Sequence, residues 1–462
     1  MKKQILTIFI LAFQCAGLFT QTISGNLTQL VNQPIKLEGF NGLKTYPIAS
    51  ATTDAKGAFE LKYSASDYGV GYLRSADEKP LFVILSGEDI EIVGESLSRT
   101  ETLRTIKGKE NLSFEQYAKE HPRREQALSA WAYLEKIYTL DSLFSVQTVP
   151  NKAIQKEKKR ITDQDEQFLA ALPKNSYVSW FLPTRKLVSS VSTVAQYRTE
   201  EIPATIAAFR NLDYTDQRLY KSGLFKDAIE SHFWLLENSG RPLDSVFVEM
   251  QLSINAMMQH LIKDPPKLNE VTNYLFDLLE RHSLFKASEY LALKVLNDVS
   301  CTIDNDLAKQ LETYRKMKKG NTAPDITFDA GYSAPAYPLD AMPKKLTDLK
   351  SKYTVVVFGA SWCPKCKEEM PEIVKLYSKW KSRGVEVVFA SLDEDKEKYN
   401  SFVKDFPFIS TCDFKKWEGN TVKDYYVFGT PTIFLLDNKR EIILRPNSVN
   451  QMDAWVEWYL KN

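Results

Sequence analysis

The sequence predicts a multidomain protein with an N-terminal antiparallel β-sandwich, a central all-α region and a C-terminal α/β fold. Three observations support this prediction. Over residues 21–105, apolar residues alternate with polar ones in short runs, as in β-strands. Over 106–320, apolar residues recur with helical spacing. Over 321–462, predicted strands alternate with predicted helices. A chain of 462 residues also has room for about three domains.

The first twenty residues predict a signal peptide. Lys2 and Lys3 precede an almost wholly apolar run over residues 5–13, and small and polar residues follow. The run is shorter than the roughly 20 residues that span a membrane. We therefore expect a mature chain that starts near Gln21, lies in the periplasm or cell envelope and has no membrane span.

A lipid anchor at Cys15 is the alternative that we favour less. A lipoprotein signal also places a cysteine just after an apolar run, but it normally has a small residue directly before that cysteine. Here Gln14 occupies that position.

The first predicted domain, residues 21–105, has the pattern of paired strands. Phe59, Leu61 and Tyr63 alternate with polar residues after a turn at 54–57, and Ile90 and Ile92 alternate in the same way. Gly and Asp separate these runs. The pattern is typical of a small β-sandwich.

The second predicted domain, residues 106–320, is helical. Apolar residues recur there with helical spacing, and prolines divide the region into several helices. The clearest apolar stripe is Val271, Leu275, Leu278 and Leu279, and the dividing prolines are Pro173, Pro183, Pro203, Pro265 and Pro266. A linker near residues 320–324 ends the region.

The third predicted domain, residues 321–462, alternates strand and helix, which indicates helices packed on a central sheet. The predicted strands are 353–358, 385–392, 432–436 and 442–444, and the predicted helices are 364–380, 395–405 and 450–460.

Charge and cysteine content limit the function. Lys and Arg total 60 and Asp and Glu total 59, so the overall charge gives no support to nucleic-acid binding, although a local basic patch is possible. Four cysteines follow the signal peptide, too few for a disulfide-stapled scaffold. Cys301 and Cys412 could pair, although buried free thiols are the simpler interpretation.

The other two cysteines carry the candidate chemistry. Cys363 and Cys366 enclose Pro364 and Lys365 between a predicted strand and a predicted helix. This position places Cys363 at a helix N-terminus, where unpaired amide groups favour a thiolate. Cys363 would attack a substrate disulfide, and Cys366, one helical turn on, would resolve the mixed disulfide.

The segment Trp362–Cys366, residues 369–371 (EMP) and residues 429–432 (GTPT) before an apolar strand resemble the TlpA/ResA-like thiol-disulfide oxidoreductases. The resemblance covers about residues 321–462. It implies a thioredoxin-like fold, a redox-active Cys363–Cys366 disulfide, and substrate binding by Trp362, Thr430 and a cis Pro431. It also implies disulfide or dithiol protein substrates and an envelope redox partner, and no metal or other cofactor.

The sequence departs from the thioredoxin pattern at the buried acid. Thioredoxins proper carry an Asp in the strand before the motif, and Val357 occupies that position. The ResA-like branch has a Glu three residues after the second cysteine, and Glu369 matches it. The resemblance thus makes Glu369 the candidate that deprotonates Cys366.

Other functions are possible for such a chain. A peroxiredoxin-type peroxidase needs a Thr and a Pro where this chain has Ala360 and Val356, so we discount it. A metal-transfer module would need further ligands, because two cysteines supply half a tetrahedral site. An adaptor in which the C-terminal domain is accessory remains the alternative, since about 300 residues have no assigned chemistry.

Overall fold

The computed structural model describes residues 21–75, 79–299, 305–328 and 330–460. The chain divides into two compact units, residues 1–240 and 241–462. The predicted signal peptide and Cys301 lie outside the described residues. Among those described, no helix combines the length and the apolar character needed to cross a membrane.

The first unit begins with two four-stranded sheets that face each other. Their orders are β4-β1-β7-β8 and β3-β2-β5-β6. The strands are β1 (Gln21–Leu27), β2 (Pro34–Asn41), β3 (Lys44–Thr52), β4 (Ala58–Tyr63), β5 (Gly69–Arg74), β6 (Leu81–Leu85), β7 (Ile90–Gly94) and β8 (Arg104–Lys107). Both sheets contribute to one buried cluster, which includes Leu61 of β4 and Leu37 of β2.

This arrangement confirms the predicted sandwich, with one departure. Strands β1 and β7 pair in parallel, whereas the other neighbours in the two sheets pair antiparallel. Parallel neighbours need a crossover connection. Strands β2–β6 supply it, because most of them lie in the other sheet before the chain returns beside β1.

Seven helices complete the first unit within its described residues. They are α1 (Lys109–Leu140), α2 (Thr148–Ala170), α3 (Tyr177–Ser189), α4 (Val191–Tyr197), α5 (Ile202–Arg210), α6 (Gln217–Tyr220) and α7 (Phe225–Glu237). Pro173 and Pro203 lie at helix boundaries, but the expectation that Pro183 divides two helices is wrong. Pro183 lies inside α3, where burial of Phe181 and Leu182 offsets the lost backbone hydrogen bond.

In the part of the chain that the structure describes, the second unit starts with four helices, α8 (Leu243–Leu261), α9 (Pro265–Arg281), α10 (Phe285–Val299) and α11 (Asn305–Lys316). The predicted apolar stripe of α9 is buried. These helices belong to the same compact unit as the C-terminal fold, whereas the sequence suggested a boundary near residue 320. The boundaries of the four predicted segments stay predictions.

A five-stranded sheet of order β11-β10-β9-β12-β13 forms the centre of the C-terminal fold. Strands β9–β11 are parallel, and β12 and β13 are antiparallel to their neighbours. The elements are β9 (Tyr353–Gly359), α12 (Pro364–Ser382), β10 (Val385–Ser391), α13 (Lys396–Val403), β11 (Ile409–Cys412), α14 (Asn420–Asp424), β12 (Thr432–Asp437), β13 (Ile442–Leu444) and α15 (Val449–Tyr459). The α/β prediction is confirmed.

The predicted linker is fastened to the edge of this sheet. The Gly320 amide donates to the carbonyl oxygen of Ile442 at 2.9 Å, and the Ala323 amide donates to that of Arg440 at 2.8 Å. Ala323 is buried. Residues 320–323 therefore form part of the C-terminal fold.

Candidate active site

Cys363 lies where strand β9 passes into helix α12, as the sequence predicted. It is the N-cap residue of the helix, and its sulfur accepts a hydrogen bond from the Cys366 amide at 3.1 Å. Pro364 occupies the first helical position, where no amide donor is needed. The helix thus directs its partial positive charge at the Cys363 sulfur, which suits a nucleophilic thiolate.

Cys366 lies behind Cys363 and is fully buried. Burial raises the pKa of the Cys366 thiol, and the hydrogen bond with Cys363 raises it further. Gly359 leaves room for this sulfur, because a Cβ at position 359 would lie 3.3 Å from it and 2.8 Å from the Phe389 ring. Both cysteines are free thiols here, so the disulfide between them stays a prediction.

The Thr430–Pro431 segment lies beside Cys363, although Thr430 is 67 positions further along the chain. The Cys363 thiol donates to the carbonyl oxygen of Thr430 at 3.3 Å. The peptide bond between Thr430 and Pro431 is cis, as the resemblance implied. The segment GTPT therefore belongs to the same site as the cysteine pair.

Trp362 is exposed beside Cys363, with 43% of its surface accessible. Its ring packs edge to face on Trp417 at 6.1 Å between centroids, and the Lys416 ammonium lies 5.7 Å from its centroid. The indole thus offers an apolar surface next to the nucleophile. The sequence pattern indicated Trp362, but nothing in it indicated Trp417.

Glu369 lies on α12 one turn after Cys366. One carboxylate oxygen is 3.6 Å from the Lys365 ammonium, and the other accepts from the Val449 amide at 3.3 Å. The side chain is 12% exposed, so Glu369 is not a fully solvated helix residue. Its role toward Cys366 stays a proposal.

Asp393 is a residue of the site that sequence reasoning missed. It is buried and holds the segment before Cys363, because the Ser361 amide donates to its carboxylate at 3.0 Å and the Ser361 hydroxyl at 2.6 Å. The Ser391 hydroxyl donates to its second oxygen at 2.7 Å. A usable signal existed: Asp393 follows a buried strand, and the carboxyl ends of parallel strands meet at one edge of a sheet.

Cys412 is a buried free thiol, in agreement with the simpler of the two interpretations. Its thiol donates to the carbonyl oxygen of Asp393 at 3.4 Å, and burial raises its pKa to about 11. A thiol this weakly acidic is a poor nucleophile at neutral pH.

The described ranges contain no group of three or more His, Cys, Asp or Glu side chains that could hold a metal ion. The arrangement offers one nucleophilic thiol, one buried thiol behind it and a backbone acceptor beside it. Such a set can break a disulfide and form another.

Known proteins resemble this chain in its C-terminal part. A thioredoxin-like family model matches residues 351–442. The thiol-disulfide oxidoreductase ResA of Bacillus thuringiensis is 31% identical over 146 residues, which is 32% of this chain and 79% of that protein. The sporulation thiol-disulfide oxidoreductase A of Bacillus subtilis is 31% identical over 118 residues, 23% of this chain and 68% of that protein.

Solved structures cover the same region or somewhat more. The thioredoxin domain of a Bacteroides vulgatus thiol-disulfide oxidoreductase matches 31% of this chain and 99% of its own, with 24% identity and a TM-score of 0.27. A thioredoxin-like protein from Bacteroides caccae matches 56% of this chain and 93% of its own, with 15% identity and a TM-score of 0.38. Because it is similar in sequence to these relatives, the chain belongs to the ResA-like thiol-disulfide oxidoreductases of the thioredoxin-like family.

Proposed function

We propose that the protein is exported to the periplasm or cell envelope and exchanges disulfides with protein substrates through Cys363 and Cys366. The observation that carries the proposal is the position of the Cys363 sulfur, between the N-terminus of α12 and the Thr430 carbonyl oxygen. The adaptor alternative is not favoured, because the relatives are named as oxidoreductases.

The reaction needs no cofactor. The Cys363 thiolate attacks one sulfur of the substrate disulfide, that disulfide breaks, and the departing sulfur takes up a proton. Cys366 then loses its proton and attacks Cys363, which releases the second substrate thiol and leaves a Cys363–Cys366 disulfide. Two electrons pass from the protein to the substrate, and an envelope dithiol partner would restore them.

The surroundings fit these two roles. The raised pKa of Cys366 keeps it protonated at neutral pH, so its attack requires a base. Glu369 is our candidate for that base. Trp362 and the backbone of Thr430 would bind the substrate segment on either side of Cys363.

Single-turnover reduction of a peptide with one internal disulfide tests the exchange activity. The pre-reduced full chain should release two thiols per chain and should lose this activity in Cys363→Ser. Cys412→Ser is the matched control and should react like the unmodified chain, because Cys412 is buried and weakly acidic. A wild-type rate no greater than that of free glutathione would contradict the proposal.

The export proposal has a separate test. Intact mass of the protein from its native host should correspond to a chain that starts near Gln21. A chain that retains Met1 would contradict export, and a diacylglycerol on Cys15 would replace the soluble form with a lipid anchor.

A further inference from the structure

Helix α9 packs directly on the segment that leads to Thr430. Phe276 of α9 is fully buried, and its ring packs edge to face on Phe428 at 5.9 Å and on Tyr426 at 6.3 Å between centroids. Tyr426 and Phe428 pack on each other at 4.6 Å. These three rings form a cluster that joins the helix to residues 426–428, two positions before Thr430.

The backbone of the same segment runs beside the end of the helix, with room for little more than one carbon atom between them. A Cβ at Gly429 would lie 3.5 Å from the Arg281 Cα atom and 3.8 Å from its carbonyl oxygen. Gly429 is thus the residue of the segment that lies against the last turn of α9. Thr430 follows it and accepts the hydrogen bond from Cys363.

A buried ion pair joins the helix to the residue that follows strand β13. Glu280 of α9 pairs with Arg445 at 2.9 Å, and both side chains are at least nine-tenths buried. The Arg445 guanidinium also lies over the rings of Phe285, at the start of α10, and Phe434 of β12, at 3.9 and 5.1 Å. Strand β12 begins directly after Pro431, so Arg445 connects α9 to the strand that follows the Thr430–Pro431 segment.

We propose that α9 supports the substrate-binding site from behind, and that Phe276 is the positioning residue that holds the Thr430 backbone for the substrate. This inference rests on the proposed function, since the Thr430 backbone can bind a substrate chain only if a peptide disulfide binds beside Cys363. It assigns a role to helices that precede the thioredoxin-like fold. Their contacts fix where an extended substrate chain can pair with the protein.

Two disulfides separate positioning from general stability. A peptide disulfide pairs with the Thr430 backbone, whereas 5,5′-dithiobis(2-nitrobenzoate) needs only the Cys363 sulfur. In the full chain, we expect Phe276→Ala to lower kcat/KM for the peptide about tenfold, mainly through KM, and to change the rate with the small disulfide by less than about twofold. Phe276→Leu, which keeps apolar volume, should restore most of the peptide rate.

Phe247→Ala provides the matched control, because Phe247 is a buried phenylalanine of α8 in the same unit. It should lower the melting temperature to a similar extent and leave the ratio of the two rates unchanged. Equal loss with both disulfides, no loss with the peptide, or the same change of ratio in Phe247→Ala would overturn the inference. A wild-type chain that reduces neither disulfide would instead overturn the proposed function, and the inference with it.

Discussion

The two cysteines of the candidate active site are similarly buried, but their surroundings differ. The Cys363 sulfur accepts a hydrogen bond from the Cys366 amide and donates one to the Thr430 carbonyl oxygen. The Cys366 side chain, in contrast, lies in the apolar interior behind Cys363. Burial raises the pKa of Cys366. The slow step of a turnover should therefore be the one that needs Cys366 as a thiolate.

Glu369→Gln tests the candidate base. We expect it to slow reduction of a disulfide peptide by about tenfold or more, at the low end of the effects of general bases, which are typically about 10²–10⁴. Gln keeps a carbonyl oxygen that can accept from the Val449 amide, so the fold should survive. Stopped-flow kinetics with melting temperature gives the measurement.

The matched control is Glu368→Gln on the neighbouring position. Glu368 is exposed and pairs with the same Lys365 ammonium. Its substitution therefore measures the effect of removing one negative charge near the site, separately from the effect of the buried Glu369 carboxylate. Equal rates for Glu369→Gln and the wild type would leave the proton acceptor of Cys366 unidentified.

Asp393 should matter for both stability and rate. Asp393→Asn replaces one of the two acceptor oxygens by a donor group, which would face a hydroxyl or amide that now donates to Asp393. We expect a loss of about 1–3 kcal/mol in the free energy of unfolding and a several-fold slower reaction of Cys363. Urea unfolding and alkylation kinetics measure the two effects.

Asp395→Asn is the control for this substitution, because Asp395 caps the neighbouring helix α13 from an exposed position. It should cost stability without slowing Cys363. If the two variants react alike, Ser361 does not position the nucleophile.

At the scale of secondary-structure elements, α9 carries an unusual acid. Burial raises the pKa of Asp277 to about 6, with Arg281 opposing and Glu280 adding to the shift. One of its carboxylate oxygens is buried, with no hydrogen-bond partner among the described residues. A folded-state pKa above the ordinary value of 3.8 means that the folded chain holds this proton more tightly. The protonated Asp277 side chain therefore contributes to the free energy of unfolding at low pH, and this contribution is lost as the pH rises from about 4 to about 6.

Asp277→Asn should remove this dependence. We expect the variant to be more stable than the wild type at pH 7 by about 1 kcal/mol after solvent screening is allowed for, and to show no gain at pH 4. Melting temperatures of both proteins at the two pH values give the comparison. A gain of equal size at both pH values would show that the charge of Asp277 is not the cause.

Elements with a clear period were predictable, and those set by distant contacts were not. The strand at 353–358 and the helix from 364 follow from an apolar run and from a proline at the first helical position. Strand β11 was missed, because its four residues, 409–412, mix polar and apolar types although all are buried. The parallel pairing of β1 depends on how the chain crosses between two sheets, which no local pattern records.

At the scale of the whole molecule, the sequence located the candidate active site from two short motifs, residues 362–366 and 429–432. It could not predict the hydrogen bond from Ser361 to Asp393 or the packing of Phe276 on Phe428, because these contacts join residues far apart in sequence. The predicted boundary near residue 320 stays a prediction, and α8–α11 belong to the same compact unit as the C-terminal fold. The helices before the thioredoxin-like fold thus carry contacts that the motif alone does not predict.

Trapping of the mixed disulfide tests the central claim most directly, namely that Cys363 attacks and Cys366 resolves. The full chain with Cys366→Ser, mixed with a peptide disulfide, should accumulate a covalent adduct at Cys363, seen by intact-mass and peptide-mapping mass spectrometry. Cys363→Ser should form none at Cys366, since that thiol is buried and its pKa is raised. An adduct on Cys366 in Cys363→Ser, or no adduct in Cys366→Ser, would contradict the account.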